Sequence, residues 1–146
     1  MHICFLDGHY PHKDGTGAGG AGWYIKTVGG QHIKNGHSVL VLKATPNNFK
    51  RNYIDGNGVK VIHYHISSRF LTYLSKIQYF RIMIRPLAFL IHSWTAYKVL
   101  LFQDKKKKID IIETVDGGNI WLSFQRYFVY IEHLHCSRFT IKKQCS

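Results

Sequence analysis

The chain has 146 residues, 45% hydrophobic and 14% aromatic, with a charged fraction of 19%, which suits one packed domain and excludes a disordered, highly charged tail. Basic residues give a formal net charge of +12. Such an excess favours phosphates, nucleic acid or an acidic membrane surface as partners, against the alternative of a basic solvated surface with no specific partner.

The opening, MHICFLDGHY, lacks a basic lead-in, a long apolar run and a small-residue cleavage site, so no signal peptide is expected. His2 to Leu6 reads as a short buried strand ended by Asp7-Gly8, with Cys4 inside it as an inert thiol. Cys136 and Cys145 complete an odd count without CxxC spacing. That suggests neither a zinc site nor a disulfide framework, and a reducing cytoplasm is the simpler location. The stretch Asp14 to Lys26 then carries Gly15-x-Gly17-x-x-Gly20 and, overlapping it, Gly17-x-Gly19-x-x-Gly22.

From Gly20 to Asn35, Ile25, Val28 and Ile33 recur near helical spacing, and Asn35-Gly36 supplies a stop. Gly29-Gly30 in the interior of this helix costs roughly 1 kcal/mol per glycine relative to alanine. Either the helix is locally weak or something packs very close there. Ser38 to Lys43 is a β-branched and leucine run, expected to be a strand buried on both faces of a parallel sheet. Thr45 to Asn57 reads as a loop and Val59 to Ile66 as another strand; a hairpin across Asp55–Gly58 is an alternative to the favoured parallel arrangement.

Phe70 to Phe102 predicts two helices meeting near Pro86. They read as a core-packing pair, with a basic amphipathic membrane surface as the functional alternative. Arg81, Arg85, Pro86, His92 and Lys98 interrupt the apolar run, so a membrane-spanning helix of ~20 apolar residues is not expected. Lys105 to Lys108 reads as a solvated loop, and Ile109 to Glu113 as a strand delivering Glu113, Thr114 and Asp116 to its end. A helical turn through Trp121 and Phe124 follows, and Tyr127 to Ile131 forms a fifth strand running into His133 and His135. Strands separated by helices point to an α/β fold, an open parallel sheet of Rossmann type flanked by helices.

A redox dinucleotide loop needs its first glycine almost directly after the first strand, and here a long loop separates Leu6 from Gly15. It also wants an acid at the end of the second strand, where this chain has Lys43. No Gly-Lys-Ser/Thr closes the run, which removes the phosphate-binding NTPase loop. What remains is backbone that approaches a ligand closely, with amides at a helix N-terminus facing an anion.

MHICFLDGHYP, Gly19-Gly20-Ala21, a helix ending in Asn35-Gly36-His37, and SVLVL resemble the opening of GT-B glycosyltransferases of the family-four type. The likeness continues through GVKVIHYHI, Asp110-Ile-Ile-Glu113 and YFVYIEHLHCS, nearly the whole chain, with Val28-Gly29 departing from the family's usual Leu-Ala pair. The resemblance implies an N-terminal, acceptor-side Rossmann-like domain over residues 1–146, transferring sugar with retention from a nucleotide-diphosphate donor to a saccharide or lipid-linked acceptor. Neither metal nor cofactor is implied, the nucleotide sugar being a substrate. Gly19 and Gly20 would present backbone to the donor diphosphate, His135 would be the catalytic residue at the donor sugar, and Glu113 with Asp116 would line the acceptor side. Stabilising a departing diphosphate and an oxocarbenium-like sugar suits amide donors and positioned polar groups. The alternatives are a glycine turn, a strand-end histidine and solvated loop carboxylates.

The family's second, donor-binding domain with its paired glutamates is not in this sequence. The expectation is therefore a fragment, a truncated product, or a subunit whose partner supplies that half, inactive alone. Its basic surface would suit a cytoplasmic protein held at the inner membrane face. A nucleic-acid-binding module lacks a recognisable motif, and a degenerate, non-catalytic domain is the remaining alternative.

Overall fold

Strand, helix, strand opens the chain, as β1 (His2–Leu6), α1 (Gly20–Lys34) and β2 (Ser38–Thr45). The structure, a computed structural model, describes residues 1–6, 9–11, 19–45, 52–65, 81–115, 129–134 and 138–142. The further elements are β3 (Tyr53–Ile54), β4 (Lys60–His65), α2 (Arg81–Lys106), β5 (Ile111–Val115), β6 (Val129–Leu134) and β7 (Arg138–Lys142). They build an α/β fold on one sheet of seven strands, ordered β3-β4-β2-β1-β5-β6-β7. The pairs from β4 through β6 are parallel, and β3 and β7 add antiparallel edges.

Period-two alternation divides the strands between two cores. Ile3, Phe5, Val39, Val41 and Val61 pack with Ile25 of α1, while Cys4, Leu6, Leu40, Leu42, Ile62 and Ile112 pack with Leu100 of α2. A strand covered on both faces must be apolar at every position, which is why SVLVL does not alternate. Cys4 is fully buried, and burial pushes its thiol far above the ordinary cysteine range. It is inert, as expected.

The glycine pair inside α1 marks close packing. A Cβ on Gly29 would stand 3.4 Å from Val39 Cγ1 and Val59 Cγ2, and one on Gly30 would stand 3.2 Å from Asn57 Nδ2. A methyl at Gly29 would just touch Val39 and Val59 and one at Gly30 would press on the Asn57 side chain, so there is room for little beyond a methyl group. Its stop at Asn35-Gly36 is a Schellman closure: Gly36, at φ +81°, donates to Ile33 O at 2.9 Å and His37 donates to His32 O at 2.9 Å.

Three sequence expectations change. The hairpin and the parallel pairing are not alternatives, because β4 pairs antiparallel with β3 and parallel with β2. Asp55 builds the hairpin turn: its Oδ1 accepts from the amides of Asn57 and Val59, both at 2.9 Å, and Gly58 takes φ +84°. Second, Pro86 does not separate two helices, since α2 runs through it. The lost hydrogen bond falls in the second turn, ahead of the stretch where Ser93, Ala96, Leu100 and Gln103 are buried, and that packing outweighs the local penalty. Phe70 to Phe80 lies outside the described residues, as does the turn through Trp121 and Phe124. Third, Lys105 and Lys106 form the last turn of α2, where cations face its negative end, and not a loop. Among the described residues no helix is long and apolar enough to cross a membrane.

Candidate functional site

From β1 the chain builds outward through β2 to β4, then crosses back to place β5 and β6 on the other side. In open sheets of this kind, the crevice beyond the carboxyl ends of the two strands flanking the reversal, here β1 and β5, is where ligands bind. α1 begins at this edge. Gly19 is its N-cap, with φ −81° and ψ −178° and no side-chain cap, so the first-turn amides are not covered by a capping side chain.

The glycines of the run have different tasks. A Cβ on Gly22 would collide with the carbonyl of His9, whose carbon would lie at 2.8 Å, so the loop after β1 crosses directly over the first turn of α1. At Gly19 and Gly20 a Cβ would meet nothing within 4 Å among the described residues. Gly22 closes the packing; among the described residues, nothing stands over Gly19 and Gly20 beside amides that no side chain caps.

The crossing loop is fixed from three sides. Lys43 Nζ donates to Tyr10 O at 2.5 Å, Tyr53 OH donates to Pro11 O at 2.7 Å, and Tyr10 OH donates to Asp55 Oδ2 at 2.5 Å. Burial, followed by the bond to Asp55, pushes the Tyr10 phenol well above its ordinary range. Lys43 occupies the strand end where a dinucleotide site would place a ribose-binding acid, yet it is only 4% exposed and holds the loop.

Glu113 is 6% exposed in β5, level with Phe5 of β1, and its Oε1 accepts from Tyr24 OH at 3.2 Å. Burial first, then the charge of Glu113 and its hydrogen bond, push the Tyr24 phenol up to about 12. Gly19, Gly20 and Glu113 thus share one end of the sheet, tied through the first turns of α1. Glu113 is a buried strand residue and not a solvated loop carboxylate. Asp116 and His135 lie outside the described residues; His135 follows Leu134, the last residue of β6.

Tyr24 and Tyr10 were not singled out in the sequence, and Gly22 entered only as the last glycine of the second pattern. Tyr24 meets a partner 89 residues away, which no local pattern announces, whereas Gly22 closes the second glycine pattern at the position that serves close packing. Helix N-terminal amides that no side chain caps can take an anion, and the Tyr24–Glu113 pair can hydrogen-bond a hydroxyl. Among the described residues, no group of three or more His, Cys, Asp or Glu could hold a metal ion. Compared with protein-family models, curated proteins and solved structures, the chain matches none.

Proposed function

We propose that this chain is the acceptor-side, Rossmann-like half of a retaining GT-B glycosyltransferase. One observation carries the reading: the uncapped N-terminus of α1, bordered by Gly19 and Gly20, and the buried Glu113 meet at the β1/β5 reversal. The parallel strands follow the order of a doubly wound nucleotide fold. The α1 amides would face the diphosphate of a nucleotide-sugar donor, and Glu113, oriented by Tyr24, would bind an acceptor hydroxyl. His135, next after β6, would reach the donor sugar. A second α/β domain or a partner subunit would hold the nucleotide.

Titration of isotope-labelled protein tests this. Nucleotide sugars should bind weakly, with Kd above about 1 mM, perturbing the amides of residues 19–22 without turnover, and saccharide acceptors should perturb Tyr24. Micromolar donor affinity in this chain alone, or silence at both places, would overturn the reading.

The same reading places the protein at an anionic membrane carrying a lipid-linked acceptor. Leu87, Leu90, Ile91 and Trp94 recur at helical three- and four-residue spacing on α2, Leu101 and Phe102 follow about two turns on, and all six are 36% to 57% exposed. Lys98 Nζ stands 5.4 Å from the Trp94 ring and Lys106 Nζ 4.3 Å from the Phe102 ring, the cation-and-aromatic pairing of an interfacial helix. Vesicles containing phosphatidylglycerol should retain the protein and Trp94→Glu should release it. A salt-dependent complex with RNA or DNA, without vesicle binding, would favour the nucleic-acid alternative.

A further inference from the structure

The other end of the sheet carries a second feature. Beside the amino ends of β1, β2 and β4 lies a cleft of about 230 Å³, with Ile33 contributed by α1 and Gln103 and Lys106 by α2. Its charge is one-sided. Lys60, Lys106 and Lys107 line it, the Lys106 ammonium standing over the Phe102 ring, and among the described residues neither Lys60 nor Lys107 has a carboxylate partner. Asp110 supplies one opposing charge nearby, its Oδ2 accepting from the backbone N–H of His2 at 2.6 Å.

The polar groups between these cations form a connected set. Lys107 Nζ donates to Ser38 Oγ at 2.8 Å, and His2 Nδ1 lies 2.8 Å from the same oxygen. Burial, then the charge of Lys107 and more weakly that of Lys60, hold His2 below its ordinary range, against the opposing pull of the Ser38 carbonyl and Asp110. An imidazole at this place thus senses a net positive surrounding.

We propose that this cleft binds a phosphate-type oxyanion, held by Lys60 and Lys107 with the Ser38 hydroxyl and the His2 ring as hydrogen-bond donors. Two ammonium groups beside an imidazole suit a doubly charged anion better than a single carboxylate, which would leave part of their charge unmatched. The volume falls below the roughly 300 Å³ at which pockets for whole small-molecule ligands begin, so it suits a phosphoryl group and not an entire nucleotide sugar. The site is separate from the glycine edge and does not depend on the proposed transferase reading. The oxyanion is either free phosphate or diphosphate, or the phosphate of a lipid headgroup. A bound dianion favours the imidazolium form of His2, so binding takes up a proton there.

The test is a titration of the His2 imidazole by NMR in inorganic phosphate and in pyrophosphate, against chloride at matched ionic strength, read alongside the charges that face it, Lys60, Lys106, Lys107 and Asp110. Phosphate should raise the His2 titration saturably, and Lys60→Gln and Lys107→Gln should each weaken binding about 10-fold, while Lys26→Gln, on α1, leaves it unchanged. A second arm uses vesicles containing phosphatidic acid. Vesicle binding that pyrophosphate competes away, and that Lys107→Gln weakens, identifies the lipid source; a soluble response without vesicle competition identifies the free anion. No saturable response to phosphate, pyrophosphate or vesicles, or a response that Lys26→Gln reduces as much as Lys107→Gln, overturns the proposal.

Discussion

α1 approaches the sheet on glycine, with Gly22 under His9, Gly29 against Val39 and Val59, and Gly30 against Asn57. By contrast, α2 stands on Ser93, Ala96, Leu100 and Gln103 and turns a second apolar stripe outward. At Gly22 the backbone of His9 leaves no room for a Cβ, so the first turn of α1 is held against the loop that leaves β1 at the β1/β5 reversal. A helix that stands on side chains can repack. The contrast assigns positioning to α1 and leaves the outer surface of α2 available for recognition.

Substitutions should separate the two. Gly22→Val should be the most damaging, costing at least about 3 kcal/mol, because backbone and not a flexible side chain occupies the space. Urea unfolding measures it, and near-wild-type stability would mean that the loop after β1 does not cross there. Asp55→Ala should cost about 2 to 3 kcal/mol by the same assay, since one carboxylate serves Tyr10, Asn57 and Val59. Gly36→Ala should cost about 1 kcal/mol, the penalty of a left-handed residue that carries a Cβ.

Stability should also follow pH. His2 and His92 both have folded values below 6.5, in each case chiefly through burial, so the unfolded chain binds more protons than the fold between those lowered values and 6.5. The urea midpoint should therefore rise with pH across that window and level off above it. A midpoint that falls through it would contradict the burial of both rings. Trp94→Ala, on the outer face of α2, closes the series, with a change under about 0.5 kcal/mol despite the size of the side chain removed. A large loss there would show that the stripe is packed and not presented.

Local patterns went far in the first third of the chain. His2–Leu6, Gly20–Lys34 and the strand from Ser38 match their expected bounds closely, and the double-sided burial of SVLVL and of Cys4 followed from hydrophobic continuity alone. The glycine pair in α1 was legible as a question, weak helix or close neighbour, but its answer lies in Val39, Val59 and Asn57. Later elements were harder to read. Apolar residues on both sides of α2 left no single stripe by which to place it, and β7 pairs only as an edge to β6.

The candidate site was legible as glycines and a carboxylate, without their division of labour. The sequence by itself determined the main strands and the first helix and which of their faces seek burial, because periods of two and 3.6 residues are properties of neighbouring positions, but not the short strand β3, the continuity of α2 through Pro86 or the edge strand β7. Only the tertiary structure decided that Gly22 and not Gly20 is sterically required, that Tyr24 holds Glu113, and that His2, Ser38, Lys60 and Lys107 share one cleft. Those meetings depend on strand order and register, which join residues far apart in the chain and leave no local trace in it.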